Sequence, residues 1–222
     1  MIRDGDCLPG QRVSIDHFVC STRGRQFNTR GTSSDESKTF TGGAVFYDHA
    51  SRYIDVRFQS HLNTHETLQS KKEFEENCRD HGVIIGSYHS DNGSCFTSAE
   101  YTCHLETFRQ TTTFASVGGH HHNGVAERAI RTITSMARTM MLHQGIHWPE
   151  MADPQLWPMA VKHAVHVYNH VPREDNGLSP YDIFTRTRSP TKRLHDLHVW
   201  GCPVYVLHGD LADGKKIPHW KA

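Results

Sequence analysis

Asn123-Gly-Val-Ala-Glu-Arg-Ala-Ile-Arg131 opens the stretch on which the fold turns. From it Ala126, Ala129, Ile130, Ile133, Ala137, Met140 and Met141 recur at helical spacing as far as about Gln144, so one face of a long helix belongs to a core. Asn123 stands where a helix cap is expected, and Glu127 follows one turn later. Working backwards, Ser116-Val-Gly-Gly-His-His-His122 reads as a polar loop, residues 111–115 as a strand and 98–108 as a short helix. Residues 83–88 form a short apolar strand that Ser90-Asp-Asn-Gly93 ends.

Further upstream, Gln11-Arg-Val-Ser-Ile-Asp-His-Phe-Val-Cys20 alternates as a strand with Asp16 inside it, and residues 21–41 read as a solvated insertion. Residues 43–47 and 53–58 make a hairpin about Asp48-His-Ala-Ser51, and a helix starts at Asn63 and stops at His81-Gly82. Downstream, residues 156–171 give a second long helix, Ser179-Pro180 opens a short one, 186–193 form a basic stretch and 198–207 one more strand. Three strands, helix, strand, helix, strand, helices is the order of a mixed five-stranded α/β sheet with helices on both faces and a small C-terminal extension. The expected division is a leader at 1–10, a core at 11–185, and a basic linker with the start of a C-terminal region at 186–222.

The 222 residues suffice for one sizeable domain plus an appendage. Mean hydropathy is −0.61 with 36% apolar residues, no run approaches the ~20 needed to cross a bilayer, and the N-terminus lacks a signal-peptide core. A membrane partner is therefore not expected. Six cysteines without C-x-x-C read as reduced thiols, and nineteen histidines include no H-E-x-x-H. Net charge is zero, yet residues 1–110 carry twelve Lys/Arg against fifteen Asp/Glu, and 111–222 carry twelve against nine. The basic surface thus belongs to the second half.

Asp16 within a strand, Asp91 at a strand end and Glu127 in a first helical turn each have a bland reading as a surface, turn or dipole-complementing residue. Together, three carboxylates reaching one point can hold two hard divalent cations for in-line phosphoryl transfer. Neither a G-x-S-x-G nor a P-loop offers another chemistry. On the long helix Arg131, Thr134 and Arg138 follow Glu127 at i+4, i+7 and i+11 with Arg128 beside them, a polar stripe suited to a phosphate backbone or to plain solvent.

His89-Ser-Asp-Asn-Gly93 and Asn123–Arg131, with 35 residues between Asp91 and Glu127, resemble the second and third acidic motifs of retroviral-type integrases, above all those of copia-type LTR retrotransposons. Ala137-Arg-Thr-Met-Met141, Leu156-Trp157, Tyr168-Asn-His-Val-Pro172, Ser179-Pro-Tyr181 and Trp200-Gly-Cys-Pro-Val204 resemble that family's downstream segments in the same order, so the similarity spans roughly residues 11–207. The resemblance implies an RNase H-like fold and a catalytic and metal-binding set of Asp16, Asp91 and Glu127 holding two Mg²⁺ or Mn²⁺ ions. It implies trimming of element DNA ends and joining of 3′-hydroxyls to a target duplex, with Asn123, Arg128, Arg131 and Arg138 against DNA. It further implies a homo-oligomer, a place within a larger Pol polyprotein, and work in a cytoplasmic particle and in the nucleus. The family's zinc module precedes the core and is not expected in this chain, and His120-His-His122 stands where relatives often carry Pro-Gln-Gln. Alternatives are an RNase H-like transposase or nuclease, or a catalytically silent DNA-binding remnant.

Overall fold

The computed structural model describes residues 7–28, 38–115, 123–188 and 192–204. The histidine loop and much of both predicted end regions lie outside them. The sheet is built from β1 (Val13–Arg25), β2 (Thr39–Asp48), β3 (Ile54–Gln59), β4 (Ser87–Ser90) and β5 (Thr111–Phe114). The helices are α1 (Thr64–Asp80), α2 (Ser94–Thr97), α3 (Ala99–Thr107), α4 (Gly124–His147), α5 (Trp157–His170), α6 (Pro180–Thr185) and α7 (Lys192–His195). Strand order is β3-β2-β1-β4-β5. The β1–β2 and β2–β3 pairs are antiparallel, β1–β4 and β4–β5 parallel, which is the mixed five-stranded sheet expected.

Alternation along the central strands sends side chains into two cores. Val13 and Ile15 of β1 join Ala44 and Phe46 of β2 against Leu68 and Phe74 of α1 and Tyr101 and Leu105 of α3. Phe18 and Val45 face the other way, against Ala129, Ile133 and Ala137 of α4 and Trp157, Val161 and Ala164 of α5. Helices therefore cover both faces, and full burial of each Ile or Phe contributes about 1.5–3 kcal/mol. α1 begins as the sequence indicates, with the Asn63 side chain accepting from Glu66 N at 2.8 Å.

Three elements differ from expectation, while the second long helix begins within one residue of its expected start. The predicted insertion at 21–41 is in part strand: β1 runs on to Arg25 and β2 starts at Thr39, with Gly24 opposite Phe40 across a register shift. Distant contacts hold this polar arm. Trp157 Nε1 donates to Thr22 O at 2.8 Å, Arg25 pairs with Asp153 at 2.8 Å, and a Cβ on Gly24 would lie 2.4 Å from Pro158 Cγ. The apolar run 83–88 is mostly coil, with Val83 and Ile85 buried and Ile84 exposed, so that β4 lies later, at Ser87–Ser90. The second long helix starts at Trp157, after 3-10 turns at Pro149–Met151 and Pro154–Leu156. Among the described residues 198–204 there is no strand; instead Trp200 Nε1 donates to Gln144 Oε1 at 3.2 Å and the ring packs on the α4–α5 core. All six cysteines are free, and among the described residues no helix is long and apolar enough to cross a membrane.

Candidate active site

The register of the sheet brings the first two carboxylates together. Ser14 of β1 pairs with His89 of β4, and Asp16 and Asp91 each lie two residues further along parallel strands. With a side-chain period of two, both belong to the same face at the end where β4 stops. Asp16 sits opposite Val45, whose side chain packs against α4 and α5, which fixes that face as the one α4 covers.

Beyond Ser90 the chain turns. Asp91 Oδ1 accepts from Gly93 N at 3.0 Å, and a Cβ on Gly93 would lie 2.9 Å from that oxygen, so glycine lets the carboxylate fold over the backbone. Asn92 Nδ2 donates to Ala115 O at 2.7 Å, tying the turn to the end of β5. The exposed Asp91 is thereby held on a braced turn.

Asn123 does not cap α4 as predicted. Its side chain makes no cap hydrogen bond; it is buried, and Nδ2 donates across to Ile15 O at 3.1 Å, one residue before Asp16. Buried as it is, this side chain is no surface contact for DNA. It ties the start of α4 to β1, and the first turn then presents Glu127, whose N–H donates to Asn123 O at 3.2 Å. The sequence offered Asn at a helix start, and capping is the commoner use of that signal.

Asp16 is half-buried and its pKa is raised to about 6, first by burial and then by the charges of Asp91 and Glu127, against the hydrogen bond from His17 N at 2.8 Å. Asp16 therefore lies within the electrostatic reach of both other carboxylates. Glu127 is exposed, as are Arg128, Arg131 and Arg138. Thr134 of the predicted stripe instead donates to Ile130 O at 2.7 Å. Along α4, Arg131 stands about 6 Å and Arg138 about 16 Å beyond Glu127 at 1.5 Å per residue.

Sequence reasoning missed His17. Its ring stacks on Phe96 at 4.8 Å, and its Nε2 lies 3.0 Å from Thr67 Oγ1, whose own hydrogen goes to Asn63 O. His17 Nε2 is therefore the donor, and burial lowers its pKa while Asp91 opposes that shift. Its place next to Asp16, on the opposite side of β1, was the only available signal.

An oxygen-only donor set of three carboxylates suits a hard divalent cation, and Asp16 is raised first by burial and then by its like-charged neighbours. As they stand, no three His, Cys, Asp or Glu side chains among the described residues are close enough to hold a metal ion. The chemistry of the donors fits the ion; the spacing would have to tighten on binding.

No family model matches this chain. Solved structures do resemble it. The HTLV-2 integrase catalytic core domain, in complex with magnesium, is similar at TM-score 0.56 and 16% identity over 80% of this chain and 97% of that one. A chain of the simian T-cell lymphotropic virus intasome, in complex with the PP2A regulatory subunit B56 gamma, is similar at TM-score 0.58 and 15% identity over 82% of this chain and 57% of that one. The BIV integrase catalytic core domain gives TM-score 0.56 and 16% identity over 80% and 95%. At these identities the likeness is one of architecture: the chain has the mixed α/β, RNase H-like fold of integrase catalytic cores.

Proposed function

We propose that this chain is the catalytic core of a copia-type retrotransposon integrase, a polynucleotidyl transferase that trims element DNA ends and joins their 3′-hydroxyls to a target duplex. The observation that supports the reading is geometric: Asp16 on β1, Asp91 just past the end of the parallel β4 and Glu127 in the first turn of the α4 that Asn123 ties to β1, on an integrase-core fold. Asp16, Asp91 and Glu127 would hold Mg²⁺ or Mn²⁺, and the HTLV-2 core solved with magnesium supports that choice of ion. When bound, a metal pair supplies Lewis-acid stabilisation of phosphate charge and a lowered pKa at the attacking oxygen. The chain's own residues do the rest. Asn123 keeps Glu127 in register with Asp16, the Asp91–Gly93 turn fixes the second carboxylate, and Arg128, Arg131 and Arg138 attract the phosphate backbone. The HTLV-2 core is also known in dimeric and trimeric forms, which supports a homo-oligomer here. Release from a Pol polyprotein and passage from a cytoplasmic particle to the nucleus complete the proposal.

The test is strand transfer by the purified chain on a labelled duplex bearing a recessed 3′-hydroxyl, with Mn²⁺ and with Asp91→Asn as control. Joined products lost in Asp91→Asn are expected. Cleavage without joining would assign the chain to the nuclease alternative, and parent activity equal to that of Asp91→Asn would mark a silent remnant.

A further inference from the structure

On the sheet face that carries Asp16, between the β2–β3 turn and the first turns of α4, lies a cavity of about 210 Å³ whose walls include Tyr47, His49, Arg52, Arg128, Thr132 and Tyr168. No carboxylate lines it. Arg128 is exposed and its guanidinium meets no partner among the described residues. The Arg52 guanidinium lies 3.9 Å from Asp175, with both side chains more than half exposed, a pairing too long and too wet to neutralise it. Thr132 contributes no donor, because its hydroxyl already donates to Arg128 O at 2.8 Å.

Arg173 stacks over the Tyr168 ring at 4.6 Å without lining the cavity, and adds positive charge nearby. Arg52 itself is held at φ 63°, a left-handed conformation that a long side chain seldom adopts. The turn that imposes it is braced from both ends: Asp48 accepts from Gly10 N at 2.8 Å, from Ser51 N at 2.8 Å and from Ser51 Oγ at 2.6 Å. A rigid turn thus aims a guanidinium where only its charge and fork give it a use.

We propose that this cavity is a phosphate subsite in which Arg52 and Arg128 grip the group, and that its occupant is a backbone phosphate of the DNA strand on which the carboxylates act. The identity of the occupant rests on the function proposed above; the anion chemistry does not. Tyr47 pairs with Ser14, on the face that carries Asp16 two residues on. The cavity therefore begins about 7 Å along the strand and one strand spacing, ~4.8 Å, across from that carboxylate. A phosphate held at that distance is a near neighbour, on the same strand, of the one the carboxylates meet. Anchoring a neighbouring phosphate there would fix the register of the scissile bond.

The experiment is equilibrium binding of a fluorescent duplex of arbitrary sequence in EDTA, titrated with NaCl, so that no catalytic step enters the readout. Arg128→Gln changes an exposed residue, and Arg52→Gly keeps the left-handed backbone while removing the charge. Each is expected to weaken binding and to lower the log–log salt slope by about 0.9, with Arg52→Lys restoring most of the slope. Inorganic phosphate at millimolar concentration should raise the melting temperature of the parent and not that of the Arg52→Gly, Arg128→Gln double variant. If both single variants keep the parent slope while Arg131→Ala lowers it, the subsite is wrong and the DNA reading stands. If phosphate stabilises the parent alone but no salt-dependent duplex binding occurs, DNA is overturned as the occupant and with it the proposed substrate. No effect of either probe overturns the proposal outright.

Discussion

The two faces of the sheet treat buried charge in opposite ways. On the α1–α3 face Lys71 is fully buried, and its Nζ donates to Glu75 Oε1 at 2.7 Å and Gln110 Oε1 at 2.7 Å and reaches His104 Nδ1 at 2.9 Å. Tyr88 Oη and Gln110 Nε2 donate to the same Glu75 oxygen at 2.8 and 2.7 Å. Within this network Lys71 and Glu75 pair with each other and each partner is itself held. On the α4 face, Asp16 meets two more carboxylates, Asp91 and Glu127, and its pKa rises to about 6. The first arrangement makes one well-fixed fold; the second leaves a carboxylate strained first by burial and then by repulsion, which a cation would relieve. Substitutions on the first face should therefore be read in stability, and on the second in chemistry.

The largest effect expected is on the second face. Glu127→Gln preserves size and the first turn of α4 but removes a charge, so strand transfer should fall by about 10³-fold or more while the denaturation midpoint stays at or slightly above that of the parent. Retained joining in Glu127→Gln would remove the catalytic half of the contrast. Next comes Lys71→Met on the first face. It leaves Glu75 a buried, uncompensated carboxylate and should cost about 3 kcal/mol in urea unfolding, without a specific loss of activity per folded molecule. A midpoint within error of the parent would show that the network is not the stabilising element its geometry describes.

The fold was legible wherever local pattern and tertiary structure agree. The alternation of residues 11–20, the cap at Asn63 and the apolar stripe of α4 each appear as read. It was illegible where distant partners decide. The polar arm of β1 past Val19 is a strand only because Trp157, Pro158 and Asp153, well over a hundred residues on, receive it. At 83–88 an apolar run was taken for a strand, whereas hydrogen bonding follows the parallel pairing of Ser87–Ser90 with β1 and β5. For the candidate site, the sequence could propose three carboxylates, but not the tether from Asn123 to Ile15 or the guanidinium on the β2–β3 turn. Both depend on which elements become neighbours, and a single sequence does not encode that locally.

A smaller effect sharpens the contrast from the metal-free side. Asp16 has a folded pKa raised from 3.8 to about 6, so its contribution to stability is fully present below about 3.8 and is lost as pH rises through 6. At pH 8 in EDTA, Asp16→Asn should therefore be more stable than the parent by about 1 kcal/mol, with Asn Oδ1 still able to accept from His17 N. The advantage should shrink at pH 4.5, and Mn²⁺ should stabilise the parent but not the variant. Thermal unfolding of both proteins in the four conditions checks this, and an Asp16→Asn variant less stable than the parent at pH 8 would contradict the strain on that carboxylate.

The smallest effect belongs to the first face and to His104. Lysine has only donors, so the 2.9 Å contact from Lys71 Nζ requires a lone pair on His104 Nδ1 and a neutral ring. Its pKa is lowered first by burial and then by the charge of Lys71, with Lys72 and Arg79 adding and Glu75 opposing. A histidine depressed in the folded state binds fewer protons there than when unfolded. Its contribution is complete above the ordinary value of 6.5 and declines as pH falls towards the folded value. Protonation would turn the acceptor into a donor facing Lys71, which weakens the α1–α3 contact without opening the carboxylate face. His104→Gln supplies an acceptor that does not titrate, so the difference in melting temperature between variant and parent should move in favour of the variant between pH 7 and pH 5. Identical pH profiles for the two proteins would mean that the Lys71 network accommodates a charged imidazole, and that the paired face of the sheet is less rigid than its hydrogen bonds make it.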